Sequence, residues 1–181
     1  KGTKLYTLEG LETRPTLDRV KESLFNIIYD KAIDSTVLDL FSGSGAIGLE
    51  FASRGAKKVY LCDKSKDAIK IINKNIEKTH LKEKVELYNV DYKELIKNKL
   101  KEKIDIVYID PPYDSDFAVD AVKLLIENKL VDEKTLIIIE TDQEKRILKQ
   151  LENEKLKIQI TDKRKYGRAI IIFLKLEESQ N

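Results

Sequence analysis

The 181-residue sequence has no methionine and no tryptophan, and only one cysteine, one histidine and three prolines. The lone cysteine, Cys62, excludes an internal disulfide and fits a reducing compartment, so a cytoplasmic protein is expected. With His80 the only histidine, a structural zinc site lacks ligands and no metal is expected. Cys62 and His80 are read as structural or surface residues. The longest apolar run, Ala169–Leu174, is six residues, far short of the roughly 20 that cross a bilayer. No signal-peptide pattern is seen, and no membrane partner is expected. The missing initiator methionine is read as a chain that starts inside a longer gene product.

What is present is a balance of charge and core. Charged residues make up 36% and apolar residues 41%, with a net charge of +2. Disorder is excluded by the apolar share, and the length fits one domain over 1–181. The small net charge says little about nucleic acid, but its distribution says more. Residues 162–168 carry Lys163, Arg164, Lys165 and Arg168 against Asp162, with Tyr166 among them. The run reads as the tip of a hairpin. It is either a plain solvated turn or a nucleic-acid contact that pairs phosphates and stacks a base.

The chain alternates apolar runs with helical periodicity. Residues 1–13 hold no strong pattern, although Lys4–Leu8 fits a short strand. Thr16 is a good N-cap, with Leu17, Val20, Leu24, Ile27 and Ile28 on one face of the helix that follows. Buried strands are expected at Thr36–Leu40, Lys58–Cys62, Val85–Asn89, Ile104–Ile109 and Thr135–Ile139. Helices lie between them, one capped by Ser65 and one opening at Ser115 or Asp116. Strands at Leu156–Thr161 and Ala169–Leu176 close the chain as a hairpin across the basic run. This predicts an α/β fold: a seven-stranded, mainly parallel sheet with helices on both faces and a C-terminal antiparallel hairpin.

In such sheets ligands bind outside the carboxyl ends of the strands. Asp39, Asp63, Asp91, Asp110 and Glu140 all fall at or near those ends. One acid there is an ordinary cap; five on one edge predict a polar crevice. Gly43-Ser44-Gly45-Ala46-Ile47-Gly48 matches G-x-G-x-x-G between strand and helix, with Asp63 twenty residues after Gly43. The pattern fits a nicotinamide dinucleotide or another nucleoside cofactor equally well. Asp39 favours a cationic ligand over a pyrophosphate.

Asp110-Pro111-Pro112-Tyr113 follows a buried strand and takes two of the three prolines. Neither proline can donate to a ladder, and each restricts the residue before it. A stiff carboxylate, a proline carbonyl and an aromatic face suit the grip of a planar base by its exocyclic amine. The plain alternative is a turn, or a peptide-like ligand for another domain.

Together these residues carry a resemblance. Asp39-Leu-Phe41-Ser-Gly43-Ser-Gly45 resembles the first motif of class I S-adenosylmethionine (AdoMet)-dependent methyltransferases. Asp110-Pro-Pro-Tyr113 resembles the [DN]-P-P-[YF] motif of enzymes that methylate exocyclic base amines. The stretch from Arg14 to Asn26, and Lys165-Tyr-Gly167 ahead of the last strand, resemble the RsmD family. Arg168 departs from the acid or small polar residue expected there.

That resemblance implies a Rossmann-like class I methyltransferase acting on guanine N2 at position 966 of 16S rRNA. It implies AdoMet as cofactor, 16S rRNA or the small ribosomal subunit as partner, and a monomer. Asp110, Pro111 and Tyr113 are then catalytic. Asp39, Phe41, Gly43, Ser44, Gly45, Asp63, Lys64, Asp91 and Tyr92 hold the cofactor. Arg14, Lys163, Arg164, Lys165 and Tyr166 meet the substrate, and residues 1–13 are the remnant of an N-terminal RNA-binding extension. Two rivals stay open: a DNA or other RNA adenine-N6 methyltransferase, and a nucleotide-binding module or NAD-dependent dehydrogenase.

Overall fold

A computed structural model describes residues 3–8 and 15–178, the side chains of residues 15–17 excepted. Seven strands form one sheet: β1 (Thr36–Asp39), β2 (Lys58–Cys62), β3 (Val85–Tyr88), β4 (Ile106–Ile109), β5 (Leu136–Thr141), β6 (Ile158–Tyr166) and β7 (Ala169–Leu176). Their order is β3-β2-β1-β4-β5-β7-β6, parallel from β3 to β5, with β7 antiparallel between β5 and β6. The expected fold class is found. β1 and β4 are buried at every residue, which is why their sequences run apolar without alternation.

Six helices cover the two faces. On one side α1 (Pro15–Ala32), α2 (Ala46–Ser53) and α3 (Lys66–Thr79) bring Leu24, Phe25, Phe51 and Ile72 against Val37, Val59, Leu61 and Ile138. On the other, α4 (Tyr92–Glu94), running into a π-helical turn at Leu95–Lys99, joins α5 (Phe117–Glu127) and α6 (Glu144–Glu154). Leu95, Val122, Leu125 and Ile147 there pack on Leu38, Val107 and Ile137. Ser65 caps α3, its hydroxyl accepting from the Ala68 amide at 3.2 Å.

Two expectations change. Lys4–Leu8 is not a strand: it makes a single bridge at Thr7 and is tied down by a side chain instead. Asn75, fully buried in α3, accepts from the Tyr6 amide at 2.7 Å and donates to the Tyr6 carbonyl at 2.9 Å. The basic run is not a hairpin tip but the outer half of β6, which continues to Tyr166; the turn is Gly167-Arg168 alone. A register shift between Ile160 and Asp162 lets pairing with β7 continue. The apolar β7 backbone thus keeps its ladder partners, and lysines line the sheet's outer edge, where charge discourages further pairing. The helix after Asp116 has Asp116 at its N-cap position, but without a side-chain capping bond. Thr16, Leu17 and most of residues 1–14 lie outside the described residues or side chains.

The order reverses between β1 and β4, both of which leave the sheet toward the same edge. β1 and β4 are joined by pairs such as Leu38–Val107 and by the Leu40 amide donating to the Tyr108 carbonyl at 3.1 Å. The crevice outside this switch point is where the glycine loop and Asp110 both end.

Candidate active site

A cavity of about 360 Å³ opens at that edge. Its walls come from four strand ends. Phe41 and Gly43 follow β1, Asp63 and Lys64 follow β2, Asp91 and Tyr92 follow β3, and Asp110 to Pro112 follow β4. A second cavity, about 400 Å³, lies at the opposite edge of the sheet among Lys97, Lys101, Lys103 and Lys129. It holds a single acid, Glu102, and no aromatic ring, so the chemistry assigns the site to the carboxyl edge.

The loop after β1 is shaped by contact. Gly43 has φ of +59°, and a Cβ there meets no atom within 4 Å, so its open side is the cavity itself. Gly48 is needed for another reason: a Cβ would lie 2.1 Å from a Leu61 methyl. Its amide donates to Asp39 Oδ2 at 3.0 Å. Asp39 is 1% exposed, so it stands behind the wall rather than in it. Burial, with the charges of Asp63 and Glu140 nearby, lifts its carboxyl to about 7 despite the Gly48 amide. The direct contact with a cationic ligand expected of Asp39 does not fit this burial; the residue holds the α2 end against β1. Ser44 and Gly45 also lie outside the cavity wall. The Ser44 carbonyl accepts from Asn75 Nδ2 at 2.8 Å, so one amide anchors both the N-terminal segment and the glycine loop.

Asp63 Oδ2 accepts from the Gly43 amide at 2.9 Å and Oδ1 from the Ser65 amide at 2.9 Å. Asn89 Nδ2 ties down the Asp63 and Lys64 carbonyls at 3.0 Å each. Asp91 caps α4, its Oδ1 accepting from the Lys93 amide at 3.0 Å. Asp63 and Asp91 thus reach the rim already oriented by backbone donors. Tyr92 is buried, and its hydroxyl donates to Asp120 at 2.5 Å. Its ring leans on Phe41 and Phe117 with centroids 5.4 and 5.1 Å away, while Phe41 stacks on Phe117 at 6.2 Å. The three rings make one apolar shelf. Cys62 donates to the Val90 carbonyl at 3.3 Å, and burial pushes its thiol up to about 12, so it lines the wall as a neutral group.

Asp110 keeps an exposed surface for access, while protein around its carboxyl and the nearby Glu140 act on its charge. Burial first, and Glu140 next, hold that carboxyl well above the usual range. Surface area governs what can reach the residue; the crowding governs its charge. Tyr113 is 77% exposed and outside the cavity wall, its ring free beside Asp110. The loop is braced from α6: Arg146 pairs with Asp114 and with Asp116.

Of the basic residues, Lys163 pairs with Glu144 at 2.8 Å and Arg164 with Asp162 at 2.9 Å. Tyr166 is half-buried against the β-sheet core. The stacking role expected of it is not open in this arrangement, because β6 turns its ring inward. Arg14 lies outside the described residues. Sequence reasoning missed Phe117 and Asn75. An aromatic at the first position of the helix after Tyr113 was the signal for Phe117. For Asn75 it was an amide on the otherwise apolar inward face of α3.

A crevice with carboxylates for hydroxyls and an amine, an aromatic shelf and Lys64 as its one lining cation suits a nucleoside bearing positive charge. With this strand order, the fold and site define a class I methyltransferase. A family model described as conserved hypothetical protein 95 matches residues 1–175. The chain is 35% identical over 150 residues to the ribosomal RNA small subunit methyltransferase D of Haemophilus influenzae, covering 82% of this chain and 78% of that one. The protein of that name from Escherichia coli is 31% identical, covering 80% and 72%. A solved conserved hypothetical protein from Streptococcus pyogenes superposes with a TM-score of 0.75 at 28% identity, covering 87% of this chain and 95% of that one. The chain belongs to this RsmD-type family, whose methyl donor is AdoMet.

Proposed function

We propose that this chain methylates the exocyclic N2 amine of a guanine in 16S rRNA, at position 966 as the family resemblance implies, and that it works as a cytoplasmic monomer. The observation that carries the reading is the placement of Asp110-Pro111 on the rim of the same cavity as Asp63 and Asp91, at the strand-order reversal. The small-subunit rRNA in the names of the H. influenzae and E. coli relatives supports the substrate class.

The residues fit the cofactor. Asp63 would take its ribose hydroxyls and Asp91 its adenine amine, with Phe41, Tyr92 and Phe117 beside the ring and Gly43 giving room. When bound, AdoMet supplies an electrophilic methyl group and keeps the electron pair of the broken S–C bond as a neutral thioether. The chain's own task is the amine, a poor nucleophile because its lone pair is delocalised into the ring. The Asp110 carboxylate and the Pro111 carbonyl accept its two N–H groups, which turns the lone pair outward and stabilises the positive charge that develops. Asp110 then takes the surplus proton. Tyr113 stacks on the base, which must first leave its own stack. Lys165, without an ion pair among the described residues, and its neighbours on β6 meet phosphate.

Transfer of a labelled methyl group to rRNA from a strain lacking this gene, followed by nucleoside analysis, tests the reading. N2-methylguanine is the expected product. N6-methyladenine, or no transfer to small-subunit rRNA, would replace it.

A further inference from the structure

Ile109 of β4 pairs with Ile139 of β5, so the next two residues in register are Asp110 and Glu140. Neighbours in register on parallel strands point to one face, so the two carboxyls stand side by side, and Glu140 acts on the Asp110 charge. Tyr108, two residues before Asp110 and on that same face, donates its hydroxyl to Glu140 Oε2 at 2.8 Å. Asp39 of β1, in register with Tyr108, and Asp142 beyond β5 are the other acids that act on Asp110. Among the described residues no lysine, arginine or histidine is hydrogen-bonded or ion-paired to Asp110 or Glu140.

We propose that Glu140 is a positioning residue for the amine grip: it shares one proton with Asp110 and thereby sets the pH below which Asp110 cannot accept the target amine. The inference rests on the function proposed above. Two carboxyls this close do not both ionise readily, because each charge opposes the other. Burial and Glu140 both push the Asp110 proton affinity up. Asp110 is consequently a stronger base than a solvated aspartate. As the amine lone pair forms the new N–C bond, one N–H proton moves to an Asp110 oxygen. The pair then holds one proton more than before and returns it to water when the product leaves.

Glu140→Gln keeps a hydrogen-bond partner for Asp110 and removes the opposing charge. In the cofactor-free chain, the Asp110 carboxyl followed by carbon-13 NMR is expected to titrate at least one pH unit lower in this variant. The acidic limb of single-turnover methyl transfer is expected to move down by the same amount. At a pH below both limbs the variant is then about tenfold faster than the parent. Tyr108→Phe should move both readouts the same way but by less, because without that hydroxyl Glu140 opposes the Asp110 charge less. This second variant carries the test if Glu140→Gln does not fold. An Asp110 titration that neither change moves overturns the proposal. So does a titration that moves while the rate limb stays. A fully active Asp110→Ala enzyme is a different failure: it removes the amine grip itself and leaves the carboxyl pair measurable.

Discussion

The two pairs of acids at the carboxyl edge are built in opposite ways. Asp63 and Asp91 end β2 and β3 and are met by backbone amides of Gly43, Ser65 and Lys93. Asp110 and Glu140 lie at the ends of β4 and β5, set side by side by the strand register, and the Tyr108 hydroxyl donates to Glu140. Backbone amides are fixed donors, so the first pair is a set of oriented acceptors suited to hydroxyls and an amine that keep their protons. A carboxyl facing a carboxyl is a proton-sharing group, suited to a step in which a proton must move. Under the proposed function, one crevice would hold a binding half and a reacting half, told apart by what feeds their acids.

The sharpest way to break this contrast is at Asp110. Asp110→Ala is expected to slow single-turnover methyl transfer by about 10²–10³-fold, the usual cost of losing one electrostatic partner of a transition state. The AdoMet dissociation constant should stay near that of the parent. Asp110→Asn should fall between the two, since its amide oxygen still accepts but takes no proton. The converse change, Asp63→Ala, should weaken AdoMet binding by about 1.5–3 kcal/mol in calorimetry, the value of hydrogen bonds to a charged group. If both changes impaired binding alike, the division into halves would be wrong.

Asp39 sharpens the contrast from behind the wall. Its carboxyl is raised to about 7 from 3.8 in the folded chain. Between those values the unfolded chain has released the proton while the folded one still holds it, so stability falls as pH rises. Asp39→Asn should flatten urea stability between pH 4 and 7 by up to about 1.4 kcal/mol per pH unit. An unchanged slope would show that the buried carboxyl does not titrate in this window. The smallest effect is expected on β6. Replacing Lys163, Arg164 and Lys165 together by alanine should reduce the salt slope of RNA binding by about one, not three, because two of the three already pair with acids.

Much of this was legible in the sequence where one residue's neighbours along the chain decide its place. Lys58–Cys62 is a strand end to end, Ser65 caps its helix, and Asp63 and Asp110 stand at strand ends as their spacing requires. What could not be read depended on partners distant in sequence. Asp39 looks like a rim acid until Gly48 and Leu61 enclose it. Charges at 163–165 look like a loop, although β7 gives their backbone a ladder. The register of Ile109 with Ile139 alone sets Glu140 beside Asp110.

The joint between β1 and β4 also carries a consequence for how the crevice comes into being. The Thr36 amide donates to an Asp105 carboxylate oxygen at 2.8 Å across 69 residues, and the Leu40 amide reaches the Tyr108 carbonyl. The Ser42 amide, two residues on, reaches only as far as the Cys62 carbonyl, at 2.9 Å. Closing the longer loop costs more chain entropy, and non-local pairing is slow. The glycine loop and Asp63 are thus expected to join early, and Asp110 to arrive beside them late in folding. In pulse-labelled hydrogen exchange during refolding, the Ser42 amide should gain protection before that of Leu40. Simultaneous protection would mean that both halves of the crevice form in one step.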